Sequence, residues 1–328
     1  MSIGVVVIGR NEGVRLRRCL ASVRGQSAGT VYVDSGSTDG SVELARGFGA
    51  EVVELDSARP FCAARARNEG FDRFQQILPD VSYVYVQFID GDCALFEGWL
   101  DLAASTLDSR PDVAIVAGRL REINRTASIY NRLCDIEWDG PPGEVAEVGG
   151  IAMARAAAFR EAGGFDPGLI AGEEPEICLR LRQRGFKILR LDADMAGHDA
   201  AMTRFGQWWR RAVRSGHAFA EGAWQHGQEP ARYRIHETTS IAFWGAGLPA
   251  GIAIASALIH PAALLLLAGY PLLAARIYRH MRRRAVGPVD SLAYAAFCTL
   301  SKFPQAIGVG GFHYGRVAGK RRRIIEYK

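Results

Sequence analysis

The chain of 328 residues has six cysteines, and none stands in a paired spacing. Cys19, Cys62, Cys93, Cys134, Cys178 and Cys298 therefore outline neither a zinc site nor a disulfide framework, and a reduced, cytosol-facing protein fits them. There is no helix-turn-helix, zinc-finger or RNA-binding signature, so nucleic acid is not an expected partner despite a net charge of +5. Met1 to Gly9 lacks a basic lead-in and is too short for a signal peptide; it reads as a first strand. The most pronounced absence is of charge: from Ile241 to Ala275 there is no Asp, Glu, Lys or Arg.

One membrane crossing needs about 20 apolar residues and two need about 40, so these 35 residues are long for one and slightly short for two. The flanks decide between them. Residues 276–328 hold 12 Lys and Arg against 2 Asp and Glu, whereas residues 1–275 hold 28 against 33. A hairpin turning near His260-Pro261 keeps the N-terminal part and the basic tail on the same, cytoplasmic side, as positive-inside bias prefers. The tail then meets an anionic membrane surface, the inner membrane of a cell. Pro249 and Pro271 weaken the two arms without excluding them. Residues 289–311 mix apolar groups with Asp290 and Lys302, which suits a helix lying in the interface. The competing reading of 241–275 is a buried soluble hairpin. The expected division is one domain over 1–235 and a membrane-associated helical region with a basic tail over 236–328.

The rest of the chain alternates strands with helices. Ile3 to Ile8 is a β-branched run, followed by Leu16, Leu20 and Val23 at helical spacing. Val31 to Asp34 repeats the pattern, with a turn-rich loop from Ser35 to Gly40 before a helix over 41–48. A short strand at Val52-Val53, a helix over 62–77, a strand over 83–89, a helix over 97–107 and a strand from Val113 to Ala117 follow. This predicts an α/β fold with a mostly parallel, doubly wound sheet. The stretch 119–150 is expected to be mixed strand and loop, and Gly163-Gly164-Phe165-Asp166 a tight turn. A helix beginning near Pro175 places Glu173 and Glu174 at its N-terminus.

The chain is organised around Val84 to Asp92, an apolar run ending in Asp90-Gly91-Asp92. Such a run reads as a buried parallel strand delivering charge to the sheet edge where ligands bind. Gly91 is expected to turn the backbone so that both carboxylates face one hard divalent cation, whose shell substrate phosphates complete.

Taken together, these segments resemble the family 2 glycosyltransferases, inverting enzymes of the GT-A nucleotide-sugar fold. Ile8-Gly9-Arg10-Asn11-Glu12 is similar to that family's first-strand motif beside the nucleotide, and Val33-Asp34-Ser35-Gly36-Ser37-Thr38-Asp39-Gly40 to its second. Ala66-Arg67-Asn68 resembles the segment packed against the donor, and Asp90-Gly91-Asp92 the metal motif. The Gly163 to Asp166 turn, the acidic pair in Gly172-Glu173-Glu174 and His198 resemble the acceptor-side turn, the catalytic acids and a histidine near metal and diphosphate. The resemblance implies a nucleotide-sugar donor bound by Gly9, Asn11, Glu12, Asp34, Ser35, Asp39, Arg67, Asn68 and Asp90. It implies Mg2+ or Mn2+ on Asp90, Asp92 and His198. Glu174 becomes the base and Glu173 its orienting neighbour. Gly149, Gly150, Asp166, Trp208, Trp209 and Arg210 fall to the acceptor side, for a lipid-linked or saccharide acceptor.

Three positions depart from the pattern. Glu174 stands where the family usually has Asp, Ser35 replaces a second acid, and Arg211 replaces the tryptophan of the Gln-x-x-Arg-Trp motif of processive synthases. Transfer of one or a few sugars is therefore expected. Plainer roles stand beside the functional ones: Glu173 and Glu174 as helix caps, His198 as a hydrogen-bonded core residue, Asp39 as a turn residue, and the tryptophans as interfacial anchors. Two rival functions remain, a nucleotidyltransferase and a non-catalytic membrane protein that binds sugar or lipid on the same fold.

Overall fold

A computed structural model of the chain describes residues 3–77, 85–228 and 230–319. The chain divides into two compact units, the first built from Met1–Asn124, Glu137–Leu169 and Glu173–Ala200, the second from Arg125–Ile136, Ile170–Gly172 and Ala201–Lys328. The boundary expected at residue 235 thus falls inside the second unit.

The first unit is a nine-stranded sheet with flanking helices. In chain order it contains β1 (Ile3–Gly9), α1 (Val14–Val23), β2 (Gly29–Asp34), α2 (Ser41–Gly47), β3 (Glu51–Glu54), α3 (Ala63–Ile77), β4 (Tyr85–Asp90), β5 (Cys93–Leu95), α4 (Trp99–Ser109) and β6 (Val113–Glu122). After α5 (Ile129–Trp138) come β7 (Gly143–Val145), β8 (Ala152–Arg155), α6 (Ala156–Glu161), α7 (Glu173–Gln183) and β9 (Lys187–His198). Val84, the first residue of the organising run, lies outside the described residues.

The strand order is β3-β2-β1-β4-β8-β6-β9-β5, with β7 also on β9. The first four strands are parallel, as expected. Beyond β4 the sheet departs from that expectation, because β8 runs antiparallel to both β4 and β6. The chain winds from β1 outward to β3 and then returns to the other side of β1, so a topological switch point lies between β1 and β4, where open sheets bind ligands. Register brings the carboxyl ends level: Ile8 is opposite Asp90, and Gly9 opposite Asp34.

The strands are near-continuous apolar runs because both faces are covered: Val5, Val6 and Val7 have no exposure. Helix α3 lies close on this sheet at Gly70, where a Cβ would come within 2.5 Å of Val6 and 2.9 Å of Val33. That contact fixes the height of Arg67 one turn earlier. The expected turn at 163–166 ends α6, with Gly163 and Gly164 at φ 82° and 69°, a left-handed region that favours glycine. Sequence reading missed α5, whose apolar Ile129, Leu133, Cys134 and Ile136 lie in a stretch read as strand and loop, and it missed β9.

The second unit is helical. It contains most of α5, then α8 (Phe205–His226), α9 (Ile235–Ala242), α10 (Leu248–Leu258), α11 (Gly269–Arg283), α12 (Pro288–Leu300) and α13 (Lys302–Val317). Helices α8 and α13 pack backbone to backbone: a Cβ on Gly216 would lie 2.0 Å from the Gln305 carbonyl, and one on Gly308 2.0 Å from that of Val213. Two helices, Ile235–Leu258 and Pro261–Arg283, are long and apolar enough to cross a membrane by length and composition. They meet at the expected His260-Pro261 turn. A π-helical turn over Phe243–Gly247 precedes Pro249, and a 3₁₀ segment over Pro261–Ala268 precedes Pro271. Each helix runs on through its proline, and the π and 3₁₀ turns just before it are the kind of local adjustment that re-satisfies backbone groups freed by the ring. The single interfacial helix expected over 289–311 is two helices. Pro304 in the first turn of α13 accounts for the break.

Candidate active site

Asp90 ends β4 at the switch point, and its carboxylate accepts from Arg67 Nη2 at 2.9 Å. The other terminal nitrogen, Nη1, reaches both Glu173 Oε1 and Glu174 Oε1 at 3.0 Å. Arg67 is only 2% exposed. Burial works to lower its pKa, but Asp90, Glu174 and Glu173 outweigh this and hold it cationic. One guanidinium thus faces three carboxylates, and the excess negative charge shows at Glu174. Burial and the Glu173 carboxylate push Glu174 up to about 7, against the opposing pull of Arg67.

Local structure delivers these groups. Helix α7 begins at Glu173, with Pro175 in its first turn, so both acids sit at the positive end of the helix. Arg180, one helical turn on from the Glu176 it pairs with, holds the carbonyls of Ala162 and Gly164 and so ties α7 to the 163–166 turn. Gly150 leaves space for the junction. A Cβ there would lie 2.1 Å from Arg67 Nη2 and 2.6 Å from Glu174 Oε1, whereas one on Gly149 would meet nothing within 4 Å.

Asp92 faces another way. It is 6% exposed, and its Oδ2 lies 3.4 Å from His198 Nε2. Antiparallel pairing of β5 with β9 sets Cys93 opposite His198, and the Asp199 amide donates to the Asp92 carbonyl at 3.0 Å. Ligand atoms of Asp92, Cys93 and His198 lie within 4.8 Å of one another. A carboxylate and an imidazole of this kind suit a divalent cation that keeps positions for phosphate oxygens and water. Asp90, expected to share that ion with Asp92, accepts from Arg67 here, and the close group of ligand atoms lies around Asp92. Gly91 is not in a left-handed conformation; its need is closeness, since a Cβ would lie 3.2 Å from Glu12 and 3.3 Å from the Ile8 carbonyl.

Several residues expected at a donor are engaged with the chain itself. Buried Asp34 accepts from Tyr32 Oη at 2.9 Å and from the amides of Gly36 and Ser37 at 2.9 and 2.7 Å. It shapes the loop after β2. Asn68 clamps Phe165 at both backbone groups, donating at 2.8 Å and accepting at 2.9 Å. It therefore holds the 163–166 turn on α3. Asp39 accepts from the Ser41 amide and hydroxyl at 3.1 and 2.6 Å, the turn role. Asp166 likewise accepts from the Gly168 amide at 2.8 Å.

The remaining donor-side residues line the carboxyl edge. Asn11, at φ 56°, receives the Thr38 amide at 2.8 Å and donates its own to Ser37 Oγ at 2.9 Å, tying the first loop to the second. The Ser35 amide donates to the Gly9 carbonyl at 3.0 Å. Glu12 pairs with Arg15 at 2.9 Å, and a Cβ on Gly9 would meet Glu12 at 3.2 Å. Trp208, Trp209 and Arg210 belong to the second unit. There Trp208 packs edge-on against Phe297, with ring centroids 5.1 Å apart, and Gln207 accepts the amides of Thr203 and Arg204, capping α8.

Residues 4–164, about half of the chain, match the family described as Glycosyl transferase family 2. They form a family 2 glycosyltransferase domain. The match takes in the loops after β1 and β2, Arg67 and the Asp90-Gly91-Asp92 turn, and stops short of Glu173, Glu174 and His198. Among curated proteins, the chain is 28% identical over 243 residues to a pre-mycofactocin glycosyltransferase of Mycobacterium tuberculosis, covering 70% of this chain and 49% of that protein. It is 30% identical over 128 residues to the glycosyltransferase AglE of Haloferax volcanii, covering 36% and 39%. The chain thus spans about half or less of the length of these curated relatives. In fold it is similar to the mannosyltransferase PcManGT of Pyrobaculum calidifontis, solved with GDP-Man and Mn2+, at TM-score 0.62 and 18% identity over 96% of this chain and 87% of that one. S. aureus TarS 1-349 follows at TM-score 0.52 and 13% identity, over 98% and 92%.

Sequence reading of this family 2 domain assigned no role to Glu122, at the end of β6, or to Trp138, whose ring meets that of His198 edge-on at 4.6 Å. Both lie in the stretch 119–150, read as mixed strand and loop, where no motif marks them.

Proposed function

We propose that this chain transfers a sugar from a nucleotide-sugar donor to a hydroxyl acceptor with inversion, once or a few times, beside a membrane. The observation that carries the reading is the convergence on Arg67. A carboxylate from the switch-point strand and two from the start of α7 share one buried guanidinium, with the Asp92–His198 pair one glycine away. The structure bound to GDP-Man and Mn2+ supports a nucleoside-diphosphate donor and a divalent cation for this fold.

Glu174 is the base. A single displacement needs one carboxylate to take the acceptor proton as the hydroxyl attacks, where an inverting glycosidase needs two carboxyls. A pKa near 7 gives Glu174 both an ionised fraction at neutral pH and the basicity to keep that proton. Arg67 holds the Glu174 carboxylate in place, and buried Glu173 opposes its ionisation. Asp92 and His198, together with Asp90, would hold Mg2+ or Mn2+, which when bound would supply Lewis-acid stabilisation of the charge on the departing diphosphate.

The two apolar helices and the basic segment after them support attachment to an anionic cytoplasmic face of an inner membrane. Attachment raises the effective concentration of a lipid-linked or membrane-proximal saccharide acceptor. Trp208, Trp209 and Arg210 are its proposed contacts.

A screen of nucleotide sugars against the full-length chain in membranes tests the reading. Metal-dependent hydrolysis or transfer is expected from one donor class, and Asp92→Ala or Glu174→Gln should each lower transfer at least about 10²-fold. Transfer left intact by both substitutions overturns the assignment. Binding without turnover by the wild type returns the protein to a sugar-binding role.

A further inference from the structure

His198 is the one proposed cation ligand that comes from far along the chain, and the sheet flanks it on both sides. On β5 it faces Cys93, beside Asp92; on β6 it faces Glu122. Its Nε2 points at Asp92 Oδ2, 3.4 Å away, and its Nδ1 at Glu122 Oε2, 3.6 Å away. The edge-on Trp138 ring restricts its rotation.

An imidazole can hold a cation only through a nitrogen that carries no proton. Which nitrogen that is depends on the partner of the other one. Ligating histidines generally turn their second N–H toward a carboxylate or carbonyl, which sets both tautomer and ring orientation. Glu122 is placed for this. Its side chain has no exposure, and its two oxygens are pinned by backbone amides, Oε1 by Asn124 and Oε2 by Ala200, both at 2.9 Å. The chain itself therefore fixes this carboxylate.

The geometry points to Glu122 as the positioning residue for His198: facing Nδ1, it leaves Nε2 as the nitrogen presented to a cation beside Asp92. This rests on the proposed cation site, and it adds a residue that lies outside the motifs quoted for the family.

The test is Mn2+ binding to the full-length chain, read from the electron paramagnetic resonance signal of the free ion, with thermal melting of the metal-free proteins in parallel. Glu122→Gln should weaken Mn2+ binding 10- to 100-fold, with His198→Ala and Asp92→Asn at least as damaging. Glu122→Asp keeps the charge but withdraws it by one methylene, and should fall between Gln and wild type. A merely structural role would lower the melting temperature and leave the Mn2+ affinity of the folded protein unchanged. Wild-type affinity in Glu122→Gln overturns the assignment; should that variant not fold, wild-type affinity in Glu122→Asp does so instead. Full affinity in His198→Ala also overturns it while leaving a cation on Asp92. Failure of the wild type to bind Mn2+ removes the cation reading and Glu122 with it, and is told apart because no variant is involved.

Discussion

Asp90 and Asp92 are separated by one glycine, yet their surroundings share little. The Asp90 side chain is 37% exposed and bound to Arg67, while that of Asp92 is 4% exposed and faces His198. The cause lies in the sheet. Asp90 still belongs to β4 and pairs with β1, whereas the chain after Gly91 leaves for β5 and pairs with β9. The first carboxylate thus meets Arg67 of α3, and the second meets His198 of β9. A tripeptide that reads as one pair of ligands joins two chemically different halves. One half has a cation outnumbered by carboxylates, and the other has a carboxylate beside an imidazole.

The largest expected effect separates those halves directly. Glu174→Gln should lower kcat by about 10²- to 10⁴-fold, the usual worth of a general base, while donor and Mn2+ binding stay near wild type. Steady-state kinetics with a binding titration decide it; a parallel loss of Mn2+ affinity would mean that the halves are one. Arg67→Met strands three carboxylates and should destabilise the fold by about 3–5 kcal/mol, as breaking a buried ion pair does, measured by denaturant unfolding. Gly150→Ala forces a Cβ against Arg67 and Glu174, at about 1–3 kcal/mol, the range for overpacking. Its effect on kcat should exceed that of Gly149→Ala, which meets open space.

The pH dependence sharpens the contrast. Glu174 must be ionised to act, so kcat should fall as pH drops through about 7, roughly tenfold per unit below it. For stability the sign is reversed. A carboxyl whose folded pKa is raised contributes stability that is full below its unfolded value, near 4.3, and is lost as pH rises through about 7. Glu174→Gln should flatten both profiles. The smallest effect belongs to the loop after β2. Asp39→Ala should cost about 0.5–1 kcal/mol, a lost local side-chain hydrogen bond, and leave donor affinity unchanged if Asp39 acts only on Ser41.

The sequence by itself determined the parts whose physics is local. Apolar runs such as Val5 to Ile8 and Val31 to Val33 read as covered strands, and Gly163-Gly164-Phe165-Asp166 as a tight turn. Most of the family motifs lie in or beside those segments, and the helix that opens with Glu173 and Glu174 was legible from Pro175 in its first turn. Tertiary structure decided what each side chain meets. Asn68 carries the residue type of a binding site, but Phe165, 97 positions away, takes up both ends of its amide, while Asp34 is engaged locally by Tyr32 and the amides of Gly36 and Ser37. Arg67 and Glu174 are 107 positions apart, and His198 and Glu122 are 76 apart. No spacing rule reaches so far, because only the pairing of β6 with β9 and the ion pairs that Arg67 on α3 makes with the first acids of α7 set those distances.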